Sequence, residues 1–431
     1  MGTLSSDLSV GQSIRPIRHL RWIIIGLLFL ATTVNYIDRQ AISVAAPVLS
    51  EEFGFTASDY SWIVSSFLFA YALMQILAGR LIDRMGTKRG FSLAVVWWSL
   101  ANMLHAVGTG VWSFSLFRFL LGLGEAGNYP ASLKAISEWF PRSERSMAVG
   151  ILNVGPGLGA IIAPPLVATL VLTVGWRLAF VATGVIGLLW LVGWQKLYRS
   201  PECHPRITPE EAELILRERY QPSSTNDGMR WVDYFRYKEV WGVMLARFVC
   251  DGAFYFFVFW LPKYLSDERG FNLAEIGLLA WIPFLAADVG SLSGGWLGGR
   301  LIARGWSLNA SRKLVIWIGA LLVPLVLFAV SARSAFWALM VIAVAMFAIQ
   351  VKSSSLFTLP ADLFASRHVA SVWGVSGAAG SFGGMLFQPL VGWFVDHVSY
   401  TPVFVIVSVM HILSAAIVMW MIPRVEPLSL R

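Results

Sequence analysis

The chain has 431 residues, of which 57% are hydrophobic and only 13% charged, and its mean hydropathy is +0.66. These values describe an integral membrane protein and leave no room for a soluble catalytic domain. The net charge of +8 is scattered over short loops instead of forming a stripe, which argues for membrane topology over nucleic-acid binding.

Residues 1–20 form a basic N-terminal segment, and the apolar run behind it, at 21–46, is too long for a cleaved signal and reads as the first membrane helix. Further spans are expected near 60–82, 90–107, 111–137, 147–171 and 177–197. The loop with Glu51, Glu52 and Asp59 holds no Lys or Arg, whereas the turn Asp83-Arg84-Met85-Gly86-Thr87-Lys88-Arg89, then Arg142 and Arg145, are basic. That alternation puts the basic side, and both termini, in the cytoplasm. Residues 198–238 are polar, hold Glu210, Glu211 and Glu213 and the run Ser223-Ser224-Thr225-Asn226, and read as a cytoplasmic linker with one short amphipathic helix. Six more spans fall near 240–265, 273–300, 312–331, 335–360, 369–395 and 401–422, with Arg300, Arg304, Arg312, Lys313 and Arg367 on the basic side and a short tail at 423–431. The predicted architecture is therefore all-α and polytopic: a six-helix bundle over 21–197, the linker, and a second bundle over 239–422. Gly79-Arg80-Leu81-Ile82-Asp83-Arg84 and Gly299-Arg300-Leu301-Ile302-Ala303-Arg304 occupy matching places in the two halves, as in transporters built from a repeat about the membrane normal.

Charge inside a bilayer is costly, about 2.5 to 3.5 kcal/mol per residue on insertion scales, and marks function. The intramembrane charges are Asp38 and Arg39, Arg118 and Glu125, Arg247 and Asp251, Asp288, and Lys352. All but Asp288 lie on spans 1, 4, 7 and 10, the first of every three, which a doubled three-helix arrangement brings around one cavity. Arg118 and Glu125 are seven residues apart and share a helix face, whereas Asp38 and Arg39, about 100° apart, face different partners. We expect Asp38 to pair with Arg118 and Arg39 to be left for a ligand. Arginine binds carboxylates bidentately, and Tyr36, Tyr71, Gln350, Ser354 and Ser381 offer hydroxyl and amide partners, a combination suited to a small polyhydroxylated carboxylate. Buried carboxyls beside arginines also suit ion coupling. Structural readings stand beside these: Asp38 and Arg118 as a neutralising pair, Arg247 and Asp251 as an i,i+4 pair, Lys352 snorkelling, and Asp83 and Arg84 as a topology and gating device. No Walker loop, nucleophile constellation, metal-ligand spacing or cofactor motif appears, and Cys203 and Cys250 suggest no disulfide framework.

The turn Gly79-x-x-x-Asp83-Arg84-x-Gly86-x-Lys88-Arg89 resembles the loop signature of the major facilitator superfamily. Tyr36-x-Asp38-Arg39, Arg118-x-x-x-Gly122-x-x-Glu125, Pro130, Glu138-Trp139-Phe140-Pro141 with Glu144-Arg145, and Phe271-Asn272-Leu273 resemble its anion:cation symporter branch, especially hexuronate and sugar-acid transporters. This resemblance implies proton-coupled uptake of an organic anion by alternating access, in a bacterial inner membrane, by a single chain without cofactor. It makes Asp38 and Glu125 the protonation sites, Arg118 their charge partner, Arg39, Tyr36 and Tyr71 substrate contacts, and Asp83, Arg84 and Arg145 gating residues. Ser354 and Ser381 occupy positions where sugar-acid relatives place polar groups; Pro156 stands where some have a side-chain donor, and Lys352 departs from the hexuronate pattern. Another carboxylate (an aromatic acid, a dicarboxylate or an aldonate) is the first rival, and a membrane receptor that binds without transport the second.

Overall fold

The structure, a computed structural model, describes residues 16–141, 144–217, 231–364 and 366–426. Residues 1–15, Arg142, the run Ser223 to Asn226, the end of the tail and the side chain of Arg367 lie outside the described residues.

Among the described residues every regular element is helical: α1 (Leu20–Phe53), α2 (Ala57–Met85), α3 (Thr87–Leu104), α4 (Val111–Glu125), α5 (Asn128–Trp139), α6 (Arg145–Val174), α7 (Trp176–Leu197), α8 (Pro209–Arg217), α9 (Lys238–Asp267), α10 (Leu273–Leu279), α11 (Ile282–Ala303), α12 (Leu308–Leu322), α13 (Leu327–Ser331), α14 (Ala335–Leu356), α15 (Leu359–Leu363), α16 (Ser366–His397) and α17 (Thr401–Met421), with short 3-10 turns between some of them. Ten segments of the described residues are long and apolar enough to cross a membrane. The broken pair α4–α5 and the 32-residue α16 complete twelve spans in two six-helix halves.

Spans 4, 8, 9 and 10 are each interrupted instead of running straight. Each break lies beside a proline, at Pro130, Pro283, Pro324 and Pro360, whose missing N–H removes one helical hydrogen bond. At the first break Ala126 N still reaches Gly122 O, but Gly127 N takes Gly124 O in a tighter turn. The expected continuous helix over 111–137 is therefore two helices, and Glu125 ends the first of them.

In the N-terminal half α1 packs on α6 and α7, α2 on α4, and α3 on α4 and α7; in the C-terminal half α9 packs on α16 and α17, and α14 on α11 and α12. The halves meet through α2 with α16, α1 with α9, and α6 with α10 and α11. Glycine sets how closely α4 approaches its neighbours: a Cβ on Gly122 would sit 2.5 Å from Phe67 O of α2, and one on Gly124 2.8 Å from Trp98 N of α3. That proximity carries Arg118 and Glu125 up to α1.

The linker helix α8 docks on the N-terminal half. Glu211 accepts from the backbone amides of Leu20 and Arg21 at 3.0 and 3.1 Å, capping the N-terminus of α1, and pairs with the Arg21 guanidinium at 2.7 Å, which also holds Glu144 at 2.7 Å. A carboxylate at a helix N-terminus is favoured by the helix dipole. Nearby, His204 stands edge-on to Trp139, bonds Leu197 O and receives Arg206 N, and burial lowers its pKa from the usual 6.5. A histidine less basic folded than unfolded contributes stability above its unfolded pKa that is lost as pH falls. Hydrogen exchange of residues 201–217, corrected for intrinsic rates, is therefore expected to quicken between pH 7 and pH 5.5, and His204→Gln should flatten that dependence.

Candidate functional site

Three spans of the N-terminal half build a buried charge cluster that faces the other half. Arg39 of α1 donates from Nε to Glu125 Oε2 of α4 at 2.9 Å, and both side chains are almost fully buried. The Arg39 guanidinium lies over the rings of Tyr36 and Tyr71, 4.5 and 4.6 Å from their centroids, and 5.1 Å from that of Phe67. Aromatic faces stabilise a desolvated cation by about 2 kcal/mol or more, so this cage lets a charged fork persist at membrane depth. Its Nη2 reaches Asn35 Oδ1 at a long 3.5 Å, and Glu125 Oε1 has no hydrogen-bond partner among the described residues. Fork and carboxylate thus both retain hydrogen-bonding capacity.

The expected pair of Asp38 with Arg118 does not form; the ion pair is Arg39 with Glu125. The 100° between successive residues explains the exchange. Arg39 projects toward the other half, while Asp38 turns into its own half, where Oδ1 accepts from Asn102 Nδ2 of α3 at 2.8 Å and Oδ2 is buried without a partner among the described residues. Asn102 bridges onward to Thr183 Oγ1 at 2.7 Å and Phe180 O at 3.2 Å on α7. Arg118 donates from Nη2 to the backbone O of Arg39 at 3.2 Å, lies over Phe67 at 4.6 Å and Phe259 at 5.8 Å, and keeps Nε and Nη1 without a partner among the described residues. It grips the backbone of the residue that carries the buried fork.

From the C-terminal half, Tyr255 of α9 lies within electrostatic reach of Arg39, Tyr36 and Tyr71, and Ser381 of α16 lies beside it. Ser381 therefore joins the cluster. Ser354 instead bonds Val351 O and packs against Gly294 in the α11–α14 contact, and Gln350 is half-buried on α14. Lys352 is fully buried but points away, into its own half, donating to Ser414 Oγ at 2.7 Å with His411 Nδ1 at 3.4 Å. Arg247 and Asp251 form an i,i+4 pair at 3.0 Å, and Arg247 lies under Phe357 and Trp373, 4.6 and 5.1 Å from their centroids.

Opposite the end that carries both termini, the halves are sealed. Asp396 of α16 accepts from the first amides of α2, Ala57 at 2.8 Å and Ser58 at 2.7 Å. Tyr60 donates to Phe259 O at 2.7 Å and Ser65 to Met385 O at 3.2 Å. On the termini side of the cage the cross-half contact is aromatic: Tyr129, hydrogen-bonded to Asn153, stacks on Trp373 at 5.7 Å with 8° between planes. Below that layer three rim contacts each stay within a half. Asp83 pairs with Lys134 at 2.8 Å and Arg312 with Asp362 at 2.8 Å, Arg145 donates to Phe140 O and Ser137 O, and Arg84 is exposed. Asn102, Tyr255, Asp396 and Trp373, the ring that Tyr129 stacks on, are absent from the residues picked out in sequence. Asp396 had a faint signal, a carboxylate at the end of a span; the others are single polar or aromatic residues in apolar runs, with nothing to distinguish them.

The sequence model of the Major Facilitator Superfamily matches residues 28–360. The chain is 35% identical to the hexuronate transporter of Escherichia coli K12 over 96% of both chains. It is 37% identical to the galacturonate transporter of Dickeya chrysanthemi over 71% of this chain and 90% of that one. Among solved structures, the inward-facing, occupied form of a bacterial homologue of the human lysosomal transporter Spinster superposes with a TM-score of 0.74 at 19% identity, over 94% of this chain and 98% of that one, which shows the fold. Twelve spans in two halves, this match across most of the chain and the relatives' identity lead to one assignment: the chain belongs to the major facilitator superfamily.

Proposed function

We propose that the protein couples inward proton flow to uptake of a monoanionic sugar acid, galacturonate or glucuronate, across a bacterial inner membrane by alternating access, moving the substrate unchanged. One observation carries this reading: the buried Arg39–Glu125 pair in its tyrosine cage between the halves. An incoming carboxylate and Glu125 compete for the same fork. A proton on Glu125 neutralises the internal competitor and frees Arg39, so anion and proton bind together or not at all, which is the linkage symport requires. Asp38, with one buried oxygen unpartnered, is the second proton site, and Arg118 positions α1 by holding the Arg39 carbonyl. Tyr36, Tyr71 and the Tyr255–Ser381 pair take the substrate hydroxyls, and Gln350 and Ser354 belong to the α14 side of the route.

The basic loops support a cytoplasmic position for the termini end. The sealed end with Asp396 then faces outward, and release inward requires the Tyr129–Trp373 layer to part while Asp83, Arg84 and Arg145 rearrange at the rim. In proteoliposomes containing the purified chain, labelled galacturonate should accumulate under an imposed inward proton gradient and stop accumulating when an uncoupler collapses it. Uptake indifferent to the gradient sinks the coupling, and binding without uptake favours a receptor. A thermal-shift series of hexuronates, aldonates, dicarboxylates and aromatic acids separates the substrate classes.

A further inference from the structure

Asp288 lies in the first half of α11, at the middle of the span Leu273–Ala303, half-buried, and neither the charge pairs nor the cage use it. Among the described residues no hydrogen bond or ion pair reaches its carboxyl group. It stands instead against Gly157 of α6, so closely that a Cβ there would overlap both carboxyl oxygens. At 100° per residue, Asn153, Pro156, Gly157 and Ala160 share an arc of about 100° on α6. Asn153 on that arc accepts from Tyr129, whose ring stacks on Trp373 of the other half, so the arc faces the space between the halves. Gly155 and Gly159, on another face, pack against Thr32 and Tyr36 of α1.

This fixes the depth of Asp288. Gly157 is two residues, about 3 Å of rise, from Gly159, whose Cβ position is 2.7 Å from Tyr36 Cβ, and the Tyr36 ring lies under Arg39. An acidic group without a partner among the described residues therefore stands at the α6–α11 contact between the halves, within about one helical turn of the depth of the anion-binding fork. A carboxyl group at membrane depth without a partner is costly and marks a functional position. Its chemistry is the opposite of the fork's: it accepts from hydroxyls and repels a second carboxylate.

We propose that Asp288 determines specificity, admitting a sugar acid with one carboxylate and hydroxyls at its other end while excluding the dicarboxylate of the same chain length. The proposal rests on the sugar-acid reading above. Discrimination of this kind is gained by building repulsion against the competitor, and glycine at 157 makes room for it.

The test is competition against labelled galacturonate uptake in proteoliposomes by unlabelled galacturonate and galactarate, for wild type, Asp288→Asn and Asp288→Glu. Wild type and Asp288→Glu should be inhibited by galacturonate at concentrations at least tenfold below those needed for galactarate. Asp288→Asn, nearly isosteric and uncharged, should shrink that ratio at least tenfold while the galacturonate value moves less than threefold. Equal inhibition of wild type by both acids, or an unchanged ratio in Asp288→Asn, overturns the proposal and leaves sugar-acid transport standing. Absence of wild-type uptake of any sugar acid overturns the functional reading itself. If Asp288→Asn does not reach the membrane folded, Asp288→Ser is measured in its place by displacement of galacturonate in detergent, where the same ratio decides.

Discussion

Arg39→Ala is expected to abolish saturable sugar-acid binding. A charged bidentate contact is worth about 3 kcal/mol or more, hence more than ~100-fold in Kd, and calorimetry with galacturonate should show no saturation in the range that saturates wild type. Arg39→Lys keeps a positive charge but loses the planar fork, so it should bind measurably and weakly. The truncation also leaves the buried Glu125 carboxylate without its ion-pair partner. Removing one partner of a buried pair costs about 3–5 kcal/mol, so thermal stability should fall as well. The double variant Arg39→Ala with Glu125→Ala should recover much of that stability without recovering binding. Wild-type affinity in Arg39→Ala would mean that the anion sits elsewhere.

Glu125→Gln is expected to separate binding from coupling. The amide keeps a hydrogen bond to Arg39 Nε but neither competes as an anion nor carries a proton. Galacturonate exchange at equilibrium should persist within a few-fold of wild type, and the affinity should lose most of its pH dependence. Accumulation under a proton gradient should fall to the equilibrium value, whereas one proton per anion drives about tenfold accumulation for each unit of pH difference. Retained accumulation would move the coupling proton to Asp38, whose own variant Asp38→Asn should otherwise be milder, because Asp38 lies behind the cage and contacts Asn102 rather than the fork. The two experiments are independent: one removes the anion's partner, the other removes the partner's competitor.

Much of the architecture could be read directly. Twelve apolar runs, the basic turns and the doubled Gly-Arg-Leu-Ile segment follow from residue chemistry that acts locally: a bilayer demands about 20 apolar residues per span, and a loop's charge depends on its own side chains. The breaks beside Pro130, Pro283, Pro324 and Pro360 were harder to foresee, because Pro47, Pro156, Pro164, Pro165, Pro262 and Pro389 sit inside continuous helices. Whether a proline bends or interrupts a membrane helix depends on which neighbours satisfy the freed carbonyl. Residue identity alone cannot decide that.

The same boundary runs through the site. Sequence by itself singled out Asp38, Arg39, Arg118 and Glu125 as charges inside apolar spans, since charge there is expensive wherever the helix goes, and helical angles divided Asp38 from Arg39. Only the packed helices decided the pairing. Gly122 and Gly124 seat α4 between α2 and α3, which brings Glu125 rather than Arg118 within 2.9 Å of a partner on α1 and leaves Arg118 to a backbone carbonyl. Tertiary structure likewise turned Lys352 into its own half, toward Ser414 and His411, and set Asp288 against Gly157. An ion pair at 3 Å is a property of two helices at a given separation and rotation, and those come from small-residue contacts spread along both, not from the charged residues that the pair joins.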